Sequence, residues 1–136
     1  MQTFLPYQDF QKSASVLDNR RLGKQRVEVL QILKALTIPE YGWKNHPATK
    51  MWRGHEAALV QYGLAVCQEW KSRGFKDTCY EKISEFKTEL PAELPKWVGD
   101  ERVHSSHRSN LIRKLPEHYS LFGWAEDDSI PYHWPV

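Results

Sequence analysis

Apolar residues recur at helical spacing in the first third of the chain. Between Lys12 and Leu36 there is no proline, and at about 100° per residue one arc collects Leu22, Val29, Ile32, Leu33 and Leu36. The opposite arc is polar and carries Arg20, Lys24, Glu28 and Gln31, with Arg21 at its edge. The pattern predicts one long amphipathic helix with a basic outer face.

A second helix is predicted over residues 51–73. Apolar and aromatic side chains recur there at steps of three and four, at Trp52, His55, Leu59, Tyr62, Val66 and Trp70. Gly74 follows this segment, where a left-handed helix cap is expected.

The remainder of the chain predicts shorter helices. We expect a short helix over residues 77–86, a break at Pro91 and Pro95, and a last helix over residues 105–115 that Pro116 ends. No segment alternates as a β-strand would. The prediction is an all-α fold, a compact single domain over residues 1–136, with three main helices and long irregular connections.

Composition supports an ordinary globular domain. The chain has 136 residues, of which 40% are hydrophobic and 26% charged, and no apolar stretch approaches the length of a membrane span. We expect no cleaved leader. Cys67 and Cys79 fit neither a redox nor a zinc motif, so we expect reduced, buried thiols in a cytoplasmic protein.

Charge is distributed unevenly. The net charge is only +2, yet residues 1–36 hold six basic and three acidic groups, and residues 102–116 hold four basic groups and no acidic one. Residues 117–136 hold four acidic groups and no basic one. Two basic segments in a nearly neutral chain indicate an anionic partner.

The basic cluster on the first helix is a candidate DNA-contacting surface. Its members lie within seven residues: Arg20, Arg21, Lys24 and Arg26. A polyanion such as DNA would relieve their repulsion and release counterions. The alternative is a solvated face with an ordinary Lys24–Glu28 pair. Arg26 lies toward the apolar arc, where we expect Asp18 to be its partner.

Histidines and aromatic residues near the last helix give further candidates. His104 and His107 share a helix face, which could be half of a metal site, but no third ligand accompanies them. We instead expect these two histidines and Arg108 to contact phosphate, and expect no metal. Lys114 is a further candidate DNA contact. Tyr119 and Trp124 would then stack on bases, unless they simply pack against the core.

The order of these features resembles a known family. The features are Arg20-Arg21-Leu22 with further bases, the stretch Arg73-Gly74-Phe75 to Asp77-Thr78, and a basic helix before Tyr119-Ser120-Leu121-Phe122-Gly123. Over roughly residues 1–124 the chain resembles the pyrimidine dimer DNA glycosylases of the phage endonuclease V type.

The resemblance implies an all-α repair enzyme without a cofactor. Such an enzyme would cut the glycosidic bond of a damaged or modified pyrimidine in duplex DNA and then nick the strand as an AP lyase. The implied nucleophile is an N-terminal amine that forms a Schiff base, since an α-amine has a pKa about two units below that of lysine. Removal of Met1 ahead of the bulky Gln2 should be inefficient, so we expect the amine of Met1. We also expect a nucleoid-associated monomer.

The catalytic acid departs from the family pattern. The family places Glu between Arg and Leu, where this chain has Arg21. Glu28 shares the outer arc with Arg20 and Lys24, so we predict Glu28 for catalysis and Asp18 for stability. Two alternatives remain: a DNA-binding protein of this fold without the chemistry, or a His-based nuclease or hydrolase, with or without a metal.

Overall fold

The computed structural model describes residues 1–86 and 92–136. Its helices are α1 (Phe10–Val16), α2 (Asn19–Thr37), α3 (Pro47–Lys50), α4 (Glu56–Ser72), α5 (Cys79–Ser84), α6 (Glu101–Lys114) and α7 (Pro116–Tyr119), followed by a 3-10 turn over Ser120–Phe122. These ranges contain no β-strand, which confirms the all-α prediction. The predicted break at Pro91 lies outside the described residues. None of the helices in these ranges could cross a membrane.

The predicted first helix is two helices. Leu17 and Asp18 are extended between α1 and α2, and the Asp18 carboxylate caps α2 by accepting from the Arg21 backbone N–H at 3.4 Å. Asp9 caps α1 in the same way, at 2.7 Å from the Lys12 N–H. A short carboxylate competes with helix continuation by binding free backbone N–H groups, so an Asp at this point starts a new helix.

The other predicted helices are present with different limits. The segment predicted from residue 51 is helical only from Glu56, after a turn in which Gly54 has a φ of +84°. Gly74 has a φ of +90°, as expected for the cap. The last helix begins at Glu101, four residues before the predicted start, because Asp100 caps it through the Arg102 N–H at 3.1 Å.

The core lies between α2 and α4. The predicted apolar arc of α2 is buried, with Leu22, Val29, Ile32 and Leu33 fully inaccessible. The two helices approach closely at Gly63, where a Cβ would lie 2.7 Å from Val29 Cγ1. Helix α4 also contacts α1 and α5. Burying this arc leaves the opposite, basic face of α2 at the surface.

Arg26 does not pair with Asp18, so that prediction is wrong. Its guanidinium donates to Asp77 at 2.5 Å and lies over the Trp70 ring at 4.4 Å. The buried Asp77 carboxylate also accepts from the backbone N–H groups of Cys79 and Tyr80, at 3.0 and 2.8 Å. The Asp77 position therefore anchors the start of α5 to α2, which the local sequence could not reveal because the partners are 51 residues apart.

The two cysteines are buried and free, as predicted. Burial raises the pKa of the Cys67 thiol to about 12, with the Asp77 carboxylate adding to the effect. Because the thiolate is the reactive form, Cys67 is inert at neutral pH.

Candidate active site

The outer face of α2 forms one wall of a cavity of about 370 Å3. The cavity, here called the amine pocket, is lined by Met1, Gln2, Phe4, Arg20, Arg21, Lys24, Glu28, Lys114 and Tyr132. The structure thus brings together both predicted catalytic residues and four of the predicted DNA contacts. Arg20, Lys24 and Glu28 meet here because residues four apart share a helix face.

The N-terminal segment is held at the pocket through its backbone. Gln25, buried on α2, accepts from the Phe4 N–H at 2.7 Å and donates to the Gln2 carbonyl at 2.6 Å. The Tyr62 hydroxyl donates to the Phe4 carbonyl at 2.7 Å. Trp52 donates to the Thr3 hydroxyl at 2.9 Å. These bonds fix the direction in which the chain leads to the Met1 amine.

Glu28 lies beside that amine. Gln25 Nε2 donates to Glu28 Oε2 at 3.0 Å, so one buried amide holds both the N-terminal segment and the carboxylate. Burial raises the pKa of Glu28, although the positive charges of the Met1 amine and Lys24 oppose this shift. A carboxyl group with a raised pKa in the same pocket as an amine is a candidate for proton transfer.

The pocket rim is strongly basic. Arg20 and Lys24 are exposed, and Lys114 reaches the same rim from the end of α6. Partial burial lowers the pKa of Lys114, and the nearby charges of Arg21, Arg113 and Lys24 add to this effect. An anionic ligand would relieve the repulsion among these cations.

A model of the pyrimidine dimer DNA glycosylase family matches residues 1–82. The chain belongs to this family. The protein is therefore a DNA repair glycosylase that binds DNA as its substrate. Comparisons with curated proteins and with solved structures give no match. The matched range includes Met1 and the whole of α2, whereas Lys114 and α6 follow it.

Two histidines of this glycosylase, His104 and His107, do not face solvent. His104 and His107 are 1% and 0% exposed. His107 Nδ1 accepts from the Leu5 N–H at 2.9 Å. His104 Nε2 accepts from the Gly99 N–H at 2.9 Å, which leaves its Nδ1–H to donate to the Leu5 carbonyl at 2.7 Å. Rings buried in this way cannot reach phosphate, so the predicted DNA contacts by His104 and His107 are wrong.

Arg108 is also engaged inside the protein. Its side chain is 11% exposed, pairs with Glu101, and reaches Glu126 at 2.8 Å. It also donates to the Pro6 carbonyl at 2.7 Å. Because its donors are directed to these partners, the predicted phosphate contact by Arg108 is wrong. Helix α6 instead holds the backbone of residues 5–6.

The aromatic tail of the glycosylase packs against its core. Tyr119 is fully buried, and its hydroxyl donates to Asp18 Oδ1 at 2.5 Å. Trp124 is half-buried, stacks on Tyr119 at 5.7 Å between ring centroids, and donates to the Tyr7 hydroxyl at 2.8 Å. The predicted base stacking by Tyr119 is therefore wrong, and the core-packing alternative describes this residue, whereas base stacking by Trp124 stays a prediction.

Asp18 lies outside the pocket lining and acts in the fold. Burial opposes ionisation, but the hydrogen bonds from Tyr119 and Arg21 prevail and lower the pKa of Asp18. Arg21 lies 3.2 Å from this carboxylate and also lines the amine pocket. Asp18 thus orients one of the cations at the rim.

The His-based alternative loses His104 and His107 as candidate ligands or catalytic groups. In residues 1–86 and 92–136, no three His, Cys, Asp or Glu side chains form a cluster that could hold a metal ion. His104 and His107 use ring nitrogens to bind backbone groups.

Sequence analysis missed Gln2, Phe4 and Tyr132 in the pocket lining, and it missed Gln25, which holds the N-terminal segment and Glu28 from behind the pocket. Gln25 lies three residues after Leu22 and four before Val29, and so falls within the apolar arc of α2. A polar side chain on a buried arc needs internal hydrogen-bond partners, which is the signal that could have marked it.

Stability should depend on pH through His107. Burial, with the nearby charges of His104 and Arg108, lowers the pKa of His107 to about 3, against about 6.5 in an unfolded chain. The unfolded state therefore binds more protons between these values. We expect the free energy of unfolding to fall as the pH drops from about 6.5 toward 3, by up to about 4 kcal/mol.

Urea unfolding at a series of pH values measures this effect. His107→Asn keeps an acceptor for the Leu5 N–H and removes the titration, so it should lower stability at neutral pH but flatten the acid dependence. His55→Asn is the matched control and should leave the slope unchanged. If the free energy of unfolding of His107→Asn falls toward acid pH as steeply as that of the wild type, the effect does not come from His107.

Proposed function

We propose that this glycosylase attacks damaged or modified pyrimidine nucleotides in duplex DNA with the α-amino group of Met1 and then cleaves the strand as an AP lyase. The observation that carries the proposal is the amine pocket, where the end of the chain and Glu28 lie together under a basic rim. The alternative of a DNA-binding protein without chemistry would leave this juxtaposition without a use.

The first step displaces the base. The neutral amine nitrogen attacks C1′ of the sugar, and the glycosidic bond breaks with its electron pair going to the leaving base. Loss of the amine proton and opening of the sugar ring give a Schiff base. The fixed backbone of residues 2–4 supports this step, because a nucleophile held in position avoids the entropic cost of a mobile one.

Glu28 supports the charges and protons of the reaction. Positive charge develops on the sugar as the bond breaks, and a carboxylate close to the ring offsets it. The Schiff base then loses a proton from C2′, and the 3′ phosphate leaves with the electrons of the C3′–O bond. Glu28 is the acid group of the pocket that can carry these protons. Water finally releases the Met1 amine.

The basic rim supports binding of the duplex. Four cations line the pocket and would contact phosphates on either side of the lesion: Arg20, Arg21, Lys24 and Lys114. Helix α6 lies beyond the matched range yet holds residues 5–6 of the N-terminal segment. We therefore propose that residues 1–136 act as one domain, and we expect a monomer that works on the nucleoid.

Borohydride trapping tests the proposal. Reduction of the Schiff base during reaction with an abasic-site duplex should give a covalent adduct, which peptide mass spectrometry assigns to Met1. Lys24→Arg and Lys114→Arg remove the two side-chain amines of the pocket and keep their charges, so both variants should trap as the wild type does. An adduct on Lys24 or Lys114, or no adduct at all, would contradict amine catalysis by Met1.

Salt dependence should report the rim cations. We expect Lys24→Ala and Lys114→Ala each to weaken duplex binding and to reduce the slope of log affinity against log salt by about one ion, because each releases one fewer counterion. Lys82→Ala, on α5 and outside the pocket, is the control. Unchanged slopes in both pocket variants would mean that DNA binds elsewhere.

A further inference from the structure

Trp43 is unusual in both exposure and backbone conformation. Of the six tryptophans it alone is exposed, at 54%. Its φ of +72° is the one positive value at a non-glycine residue in the parts of the chain that the structure describes. Bulky side chains rarely adopt this conformation, and such outliers concentrate at functional positions.

Hydrogen bonds hold the loop around Trp43 on both sides. The Trp43 carbonyl accepts from the His46 N–H at 3.1 Å, and the Arg53 guanidinium donates to the Lys44 carbonyl at 2.9 Å. His46 in turn caps α3 by accepting from the Ala48 N–H at 3.0 Å. The indole is therefore presented to solvent by an ordered turn.

A row of aromatic rings joins this loop to the amine pocket. Centroid distances are 5.7 Å from Trp43 to His46, 5.9 Å from His46 to Trp134, and 5.5 Å from Trp134 to Tyr132. Tyr132 lines the pocket. Burial and the charge of the Met1 amine both lower the pKa of His46, as expected if the loop stands beside the catalytic end of the chain.

We propose that Trp43 stacks on a DNA base that becomes unstacked at the lesion, and so holds the distorted duplex over the amine pocket. The proposal rests on the proposed function, since it requires the lesion to sit at that pocket. An enzyme that acts on a base in a duplex must disrupt stacking, and an aromatic side chain replaces the lost stack for any base sequence.

The surroundings of Trp43 suit a nucleobase. Trp43 borders an open depression of about 490 Å3, which is also lined by Glu40, Tyr41, Lys44 and Asn45. An aromatic ring, an amide and a cation are groups that stack on a base, bind its edge and contact a nearby phosphate. The base is either the one opposite the lesion or a neighbour in the same strand.

Binding to a duplex with a tetrahydrofuran abasic analogue tests the proposal. We expect Trp43→Ala to bind about 10- to 100-fold more weakly than the wild type, Trp43→Phe to retain most of the affinity, and undamaged duplex to be affected much less. Leu121→Ala, which removes a hydrophobic side chain that is 76% exposed and outside the pocket, should change nothing.

Fluorescence identifies the base. 2-Aminopurine is placed opposite the analogue in one duplex and beside it in another, and each is measured at saturating protein. At the stacked position the emission should be dimmer with the wild type than with Trp43→Ala. The proposal would be overturned if the wild type and Trp43→Ala gave equal emission at each of the two positions. It would also be overturned if Trp43→Ala bound the analogue within twofold of the wild type, or if it lost as much affinity for undamaged duplex as for the analogue.

Two further measurements separate this role from folding and from the chemistry. Trp43→Gly deletes the ring and relaxes the left-handed backbone, so it should melt no lower than the wild type while binding as weakly as Trp43→Ala. A lower melting temperature with normal binding would mean that Trp43 stabilises the fold and does not contact DNA, which would overturn the proposal.

Borohydride trapping on an abasic duplex at saturating Trp43→Ala should still yield the Met1 adduct. This measurement distinguishes a failure of the stacking proposal from a failure of amine catalysis.

Discussion

Glu28→Gln is expected to lower single-turnover cleavage by about 10²–10⁴-fold, with little change in the folded structure. The amide keeps the shape of the side chain and still accepts from Gln25, but it removes the negative charge that offsets the cationic sugar. Binding to the tetrahydrofuran duplex should be unchanged or tighter, because a negative charge is lost from a pocket with a basic rim.

The pH profile adds a second readout for Glu28. Because the pKa of Glu28 is raised, protonation of this carboxylate should add to the decline of wild-type cleavage on the acid side, and Glu28→Gln should lack this added decline. Glu117→Gln, an exposed carboxylate outside the pocket, is the matched control. Full activity of Glu28→Gln on the true substrate would move the acid role to another group.

Blocking the N-terminus should have the largest effect of all. An acetyl group or a short N-terminal extension converts the amine of Met1 to an amide, whose nitrogen is not nucleophilic, so strand cleavage should fall to background. Duplex binding should stay near the wild-type level because it depends on side-chain charges.

A cleavable tag makes this comparison within one preparation. The tagged protein should bind the abasic-analogue duplex without cutting an abasic one, and removal of the tag should restore cutting. The same extension placed after Val136 is the control and should leave cleavage intact. A tagged protein that cuts as fast as the untagged one would exclude the Met1 amine as nucleophile.

Residues whose relative positions follow from a single helix could be predicted from the sequence. The apolar arc with Leu22 and Val29 and the polar arc with Arg20, Lys24 and Glu28 follow directly from helical periodicity, and the structure places both as expected. Met1 came from the family resemblance, and its proximity to Glu28 gives that inference a physical basis.

Contacts between distant parts of the chain were not predictable. His107 binds Leu5 across 102 residues, and Tyr119 binds Asp18 across 101. Helix α6 is polar enough to suggest a solvated basic face, yet Ser106, His107 and Asn110 are fully buried. A single sequence does not record which backbone groups such side chains will satisfy, so His107 was assigned to DNA.

The hydrogen bonds from α6 to the backbone of residues 5–6 make catalysis depend on a helix that carries no proposed reacting group. Chain ends ordinarily fray, and individual helices can detach from a fold before the whole of it unfolds. If α6 detaches under heat or acid, the amine loses its fixed position while α2 keeps most of its basic face. The protein would then still occupy a lesion without repairing it, and would shield the damage from other repair enzymes.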